Sequence, residues 1–265
     1  MKHLVRFLSL LLLAIAATPA SAAANLQFHW QDEFSKDEQH RLVAWIEETD
    51  AAIATIVGPL PFTRHIFFHR RDSARGPVPW AHTQRGEQQG VHLHVDTSYT
   101  DQAFRKDWTA PHELSHLIIP YLGENYAWYA EGFASYMQYQ VMGAMGVLAE
   151  EDIAARYQSR FQRAEGKYAL DNLPFATAAP KLRAARQYPT MYWGGAIYFW
   201  QVNQWLAAHT ETNLIETIRA YVGCCRRDVS HVKELTASLD QLVSGEVFSR
   251  HMDLFRHTPG FPKFN

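Results

Sequence analysis

Two histidines four residues apart enclose a glutamate in the run His112-Glu113-Leu114-Ser115-His116. On a helix, positions i and i+4 lie one turn apart on one face, so both imidazoles can reach a single divalent ion. Glu113 then sits beside that ion, where it can take a proton from an acidified water. The chemistry this pattern permits is amide hydrolysis at a zinc centre. The opposing reading is two surface histidines on an ordinary amphipathic helix, in a chain with 14 His to place. Context favours the first reading. The run opens an apolar stretch from Leu114 to Leu122, as a helix leaving a polar loop would. Thr109 is a candidate N-cap, and Pro111 falls in the first turn, where its missing N–H costs nothing.

A catalytic zinc needs three protein ligands and keeps a fourth position for water or substrate. Downstream, Trp128-Tyr129-Ala130-Glu131-Gly132-Phe133-Ala134-Ser135-Tyr136 is itself helix-like, and a loop with Gly123, Glu124 and Asn125 precedes it. That arrangement suits an antiparallel helix pair, which can set Glu131 opposite His112 and His116. Gly132 leaves room for close helix approach. A glycine inside a helix costs about 1 kcal/mol against alanine, so a packing reason is expected for it. Glu124, in the loop, and Glu150, farther along, are the competing carboxylates.

His112-Glu113-x-x-His116 followed by Trp128-x-x-Glu131-Gly132-Phe133-Ala134-x-Tyr136 resembles the gluzincin zinc metallopeptidases. The pattern is most similar to the peptidase MA-like group and its relatives, the zinc aminopeptidases of the leukotriene-hydrolase type and the glycyl aminopeptidases. The likeness covers about residues 90–205. It implies a zincin-like α+β fold and one Zn2+ ion held by His112, His116 and Glu131. It implies Glu113 as general base and a peptide or protein as substrate. It also implies a role for Tyr192. In the resembling aminopeptidases a tyrosine three residues before a glycine, at the start of an apolar helix, donates to the oxyanion, and Tyr192 with Gly195 has that spacing. A tyrosine merely packed at a helix start is the alternative, in a chain with 12 Tyr, and Tyr188 is the next candidate. The gap between His116 and Glu131 is shorter than in the larger aminopeptidases and resembles that of compact MA-like domains; loop length sets only the hairpin turn. The larger enzymes also carry, on the strand before the zinc helix, a Gly-rich motif with a Glu that holds the substrate's amino group. This chain has no such Glu, which counts against aminopeptidase activity.

The elements that must position these residues are partly legible. Leu26 to Trp30 reads as a short strand. Ser35 caps a helix in which Leu42, Val43, Ile46, Ile53 and Ile56 recur at helical spacing, ending before Gly58-Pro59. Arg64 to His69 reads as a strand, and residues 71–90 as a long loop. Gly90 to Asp96 alternates as a period-two strand with His92 and His94 on one face. Those two read as solvated or cleft-lining, with a second metal site as the alternative. The resemblance makes this strand the sheet edge bordering the cleft, where an extended peptide can add by main-chain hydrogen bonds. Helices are expected near 127–143, 147–164, 190–208, 211–222, 229–242 and 245–256. Gly166 to Pro189, with Pro174, Pro180 and Pro189, reads as a loop with one helical turn. Each zinc imidazole needs an outer acceptor, for which Ser135 is a candidate. The fold expected is α+β, a small N-terminal mixed sheet with a mostly helical body.

Lys2, Arg6, the apolar run Phe7 to Ala17 and the small residues Ala20-Ser21-Ala22 read as a secretory signal peptide over residues 1–22, bacterial in style. The expectation is an exported chain, periplasmic or secreted. It forms a single zinc-metallopeptidase-like domain over 23–265, with an α/β lobe at 23–106 and a helical lobe at 107–265. No later segment offers about 18 unbroken apolar residues, so no stable membrane span is expected. Loss of Lys2 and Arg6 lowers the formal net charge by two units from −2. There is no basic tract, which argues against nucleic acid as a partner. Cys224 and Cys225, the only cysteines, are adjacent. They are a vicinal disulfide, an intermolecular link or two free thiols, and are not assigned to metal. Trp80, Trp108, Trp128 and Trp193 flank the motifs and are candidate cleft walls. The function expected is that of an exported zinc-dependent metallopeptidase. A zinc hydrolase of cell-wall peptide or another amide, and a non-catalytic zinc-binding scaffold, are the alternatives.

Overall fold

Alternation along four strands builds the sheet of this computed structural model, which describes residues 25–264. The signal-peptide expectation for residues 1–22 lies outside the described residues. The strands are β1 (Leu26–Trp30), β2 (Arg64–Arg70), β3 (Trp80–Gln84) and β4 (Gly90–Val95), in spatial order β1-β2-β4-β3. β1, β2 and β4 run parallel, and β3 is antiparallel to β4. Ile66, Phe68, Val91, Leu93 and Val95 point inward and are fully buried. Their neighbours His65, Phe67, His69, His92 and His94 point to the other face, as period-two geometry requires. β4 is therefore an internal strand, not the edge. The edge is β3, inside the segment expected to be loop. Hairpin pairing with β4, from Trp80↔His94 to Gln84↔Gly90, holds it, which the sequence of the strand itself does not announce.

The crossover from β1 to β2 is helix α1 (Lys36–Val57). Its start is fixed by a capping box: the Ser35 hydroxyl accepts from the Glu38 amide at 3.3 Å, and the Glu38 carboxylate accepts from the Ser35 amide at 2.7 Å. It ends at Gly58, whose φ of 84° suits glycine. Leu42, Trp45, Ile46 and Ile53 are buried, and α1 packs chiefly on the central and C-terminal helices of the body. Asp50 of α1 meets Arg64 of β2 at 2.7 Å, and both side chains are almost wholly buried.

The remainder is helical: α2 (Asp101–Lys106), α3 (Thr109–His116), α4 (Ala127–Ala144), α5 (Glu150–Glu165), α6 (Phe175–Ala184), α7 (Tyr188–His209), α8 (Leu214–Cys224), α9 (Val232–Leu242) and α10 (Val247–His257). α6 falls in the expected loop Gly166 to Pro189. It forms because Phe175, Ala178, Ala179 and Leu182 recur at helical spacing and are all buried, which outweighs Pro180 within it. α4 is the central helix, packed on α3 and on α7. α4 and α7 cross at two glycines. A Cβ on Gly132 would lie 2.3 Å from the Gly195 carbonyl carbon, and one on Gly195 would lie 2.1 Å from the Trp128 carbonyl oxygen. That contact is the packing reason for Gly132.

Trp128 and Trp193 are core residues rather than cleft walls, whereas Trp80 and Trp108 are exposed. Cys224 and Cys225 are disulfide-bonded to each other. No helix among the described residues is long and apolar enough to cross a membrane.

Candidate metal centre

The short helix α3 is defined by its two ends. The Asp107 carboxylate accepts from the Thr109 amide at 2.8 Å, so the polar cap is Asp107 and Thr109 lies within the helix. The helix was expected to run on toward Leu122, but it stops at His116. Two guanidinium groups take up the carbonyls freed at that end. Arg85 donates to the carbonyls of His116 and Ile119, and Arg226 donates to Leu117 at 2.9 Å. Cations at a helix C-terminus also oppose its negative dipole end. Burial, with Arg226 nearby, lowers the pKa of Arg85 to about 10, which leaves it charged at neutral pH. Leu117, Ile118 and Ile119 are buried in the turn that follows.

The i, i+4 spacing sets the rings of His112 and His116 4.9 Å apart and almost perpendicular. From α4, Glu131 places Oε2 3.2 Å from His112 Nε2 and 3.4 Å from His116 Nε2. Their ligand atoms lie within 4.8 Å of one another, and among the described residues this is the one such group of three or more. Burial would raise the Glu131 carboxyl pKa, but the two imidazoles outweigh it and hold the group well below the carboxylate range. His112 shows the converse: burial disfavours its charge, yet Glu131 raises its pKa. Glu124 takes no part; it pairs with Arg183 at the cleft rim. Glu150 lies at the start of α5.

The far side of His112 is held by Gln138, two turns beyond Glu131 on α4. Nδ1 lies 3.0 Å from the Gln138 carbonyl oxygen, and Gln138 is buried. With the amide oriented this way, Nδ1 carries the proton and Nε2 presents its lone pair to the centre. The outer acceptor for His112 is thus Gln138 rather than Ser135. Glu113 is held from the sheet. The Thr83 hydroxyl, on edge strand β3, donates to the Glu113 carboxylate at 2.9 Å and lies 3.1 Å from its carbonyl. Sequence reasoning missed Thr83, Gln138, Arg85 and Arg226. Gln138 carried a usable signal, a polar residue at i+7 from Glu131 on the face of α4 that meets α3. Thr83 carried none once its strand was read as loop.

Tyr192, in the first turns of α7, comes to the same place. Its ring stacks on His112 at 5.9 Å. Burial and the carboxylates of Glu131 and Glu113 raise its pKa, so it stays a hydrogen-bond donor. Tyr188 lies beside it, with ring centroids 6.3 Å apart. Glu113, His116, Glu131, Tyr188 and Tyr192 line one cleft of about 360 Å³, bordered by Ala81, His82 and Thr83 of β3. A group of two imidazoles and one carboxylate, open to a cleft on one side, fits a divalent ion of the zinc type with a free coordination position.

No family model matches the chain, and no curated protein does. Solved structures do. The M1 zinc metallopeptidase from Deinococcus radiodurans superposes with a TM-score of 0.52 at 13% identity, covering 90% of this chain and 50% of that one. A mutant M1 zinc metallopeptidase from Deinococcus radiodurans bound to a Tyr-Ser-Ala substrate gives 0.51 at 15% identity, covering 89% and 48%. A mutant two-domain M1 zinc metallopeptidase bound to L-tryptophan gives 0.51 at 14%, covering 94% and 48%. The chain spans about half the length of these structures. At such identities what is shared is the fold: a small mixed sheet with a mostly helical body.

Proposed function

We propose that this chain is a zinc-dependent metallopeptidase that hydrolyses peptide bonds in an exported compartment. The observation that carries the reading is the convergence of His112, His116 and Glu131, with His116, Glu131 and Glu113 lining an open cleft. His112, His116 and Glu131 would hold one zinc ion, which when bound supplies Lewis acidity and acidifies water. Glu113, steadied by Thr83, accepts the proton of the attacking water and passes it to the leaving amine. Tyr192 donates to the oxyanion as the tetrahedral centre forms. The free edge of β3 offers main-chain groups to an extended peptide, which lays its backbone along the cleft.

Digestion of a peptide library by the purified chain, with and without chelator, tests this reading. Cleavage that chelation abolishes and zinc restores is expected. Zinc bound without cleavage would favour the scaffold alternative, and cleavage of cell-wall material alone would favour a different amide substrate. Two variants test named residues. Tyr192→Phe is expected to lower kcat about 10²-fold with zinc retained; parental turnover removes the assignment. Gln138→Ala is expected to weaken zinc binding about 10- to 100-fold in a chelator competition. Unchanged affinity would mean that Gln138 does not orient His112.

A further inference from the structure

The outer face of the sheet, opposite the buried core, is lined with imidazoles in register. One cross-strand row is His29 of β1, Phe67 of β2, His92 of β4 and His82 of β3. Ring centroids along it lie 4.5, 4.3 and 4.6 Å apart, with planes within 15° at each step. The next row is His69, His94 and Trp80, with centroids 4.4 and 4.5 Å apart. No Asp, Glu, Lys or Arg lies among the outward positions of the four strands. Stacking alone does not require histidine; phenylalanine would stack as well and pack better. A face built of imidazole offers something phenylalanine lacks, namely nitrogen lone pairs.

The ring nitrogens are placed in twos, each pair joined by a hydrogen bond. His69 Nε2 and His92 Nδ1 lie 2.9 Å apart, and His29 Nε2 and His65 Nδ1 repeat that spacing nearer β1. Two nitrogens in adjacent positions of a square-planar ion, at bonds of about 2.0 Å, lie about 2.8 Å apart. We propose that the cross-strand pair His69 and His92 is a second metal site, which takes a divalent first-row transition ion, Cu2+ most strongly, with solvent completing its coordination. Imidazole suits these ions, and Cu2+ leads their affinity order. The site is independent of the peptidase reading.

The surroundings prepare the pair. His92 Nε2 lies 2.7 Å from the Gln84 carbonyl oxygen, which fixes the proton there and leaves Nδ1 as the lone pair. His69 therefore donates to it from Nε2. Metal binding moves that His69 proton to Nδ1 of the same ring, a tautomer exchange through water with no net proton released, while the rings turn to aim at the ion. His92 lies between Phe67 and His82, and His69 lies on His94, so the ring positions are already ordered and the turn toward the ion is the rearrangement that remains. Burial and the adjacent imidazoles push His92 down to about 4, and burial lowers His69, so both are neutral at pH 7.

The test is a Cu2+ titration of the zinc-loaded chain, read by paramagnetic resonance. One extra Cu2+ per chain with coupling to two nitrogens is expected. His92→Phe, which keeps the stack, and separately His69→Gln should each weaken it about tenfold or more, with unchanged thermal melts. His112→Gln should leave the signal in place. Copper binding unaltered in both sheet variants would overturn the proposal, as would a signal lost only in His112→Gln.

Discussion

Glu113→Gln lowers turnover about 10²- to 10⁴-fold and leaves the zinc content as it was. The amide keeps the shape of the side chain and can still meet the Thr83 hydroxyl that lies 2.9 Å from the carboxylate. It loses the one property the reaction needs, a basic oxygen able to take a proton. Metal content is unaffected because the ligand atoms are those of His112, His116 and Glu131. The measurement is paired: zinc per chain by elemental analysis, and initial rate on the best substrate from the library digest. A zinc-replete variant with parental rate would end the general-base assignment.

Asp50→Ala is expected to destabilise the fold by about 3–5 kcal/mol. The pair it breaks joins α1 to β2 at 2.7 Å, with side chains 7% and 4% exposed. Removing the carboxylate strands the Arg64 guanidinium in the core. Its Nη1 keeps the carbonyls of Leu60 and Phe62, but Nε has no partner in either case. For a chain of this size the loss corresponds to a fall in Tm of about 6–20 °C. Replacing both residues with apolar ones, Asp50→Leu with Arg64→Met, should recover much of it, because the buried charges disappear together. A single variant that melts within about 2 °C of the parent would mean that water reaches Arg64.

The parts of the fold that depend on neighbours in sequence were readable from sequence. Ser35 and Glu38 cap α1 by contacts three residues apart. β1, β2, β4 and α4 carry their own alternation or helical period, and the pairing of α3 with α4 followed from one short loop. Elements held by partners outside their own segment were not readable. β3 exists because β4, one short turn further on, pairs with it, so Thr83 went unseen. α3 ends where it does because Arg85 and Arg226 reach its carbonyls from 31 and 109 residues away. The prolines of 166–189 concealed α6, although its buried positions followed the helical period. At the site, His112, His116 and Glu131 come together as their spacing suggested, and Tyr192 reaches them across the α4–α7 crossing. The residues that orient them belong to the non-local class, apart from Gln138.

The crossing at Gly132 and Gly195 sets a tolerance for the whole centre. Glu131 rides on one helix and Tyr192 on the other, and the gauge between them is main chain against main chain. No rotamer can swell or shrink to absorb an error there, as a leucine seam would. The joint behaves like a machined bearing: its clearance is fixed by atoms that every residue shares, and it has no adjustable shim. Change in this fold can reshape the cleft walls freely, but the spacing of its two working arms holds only while both glycines are kept.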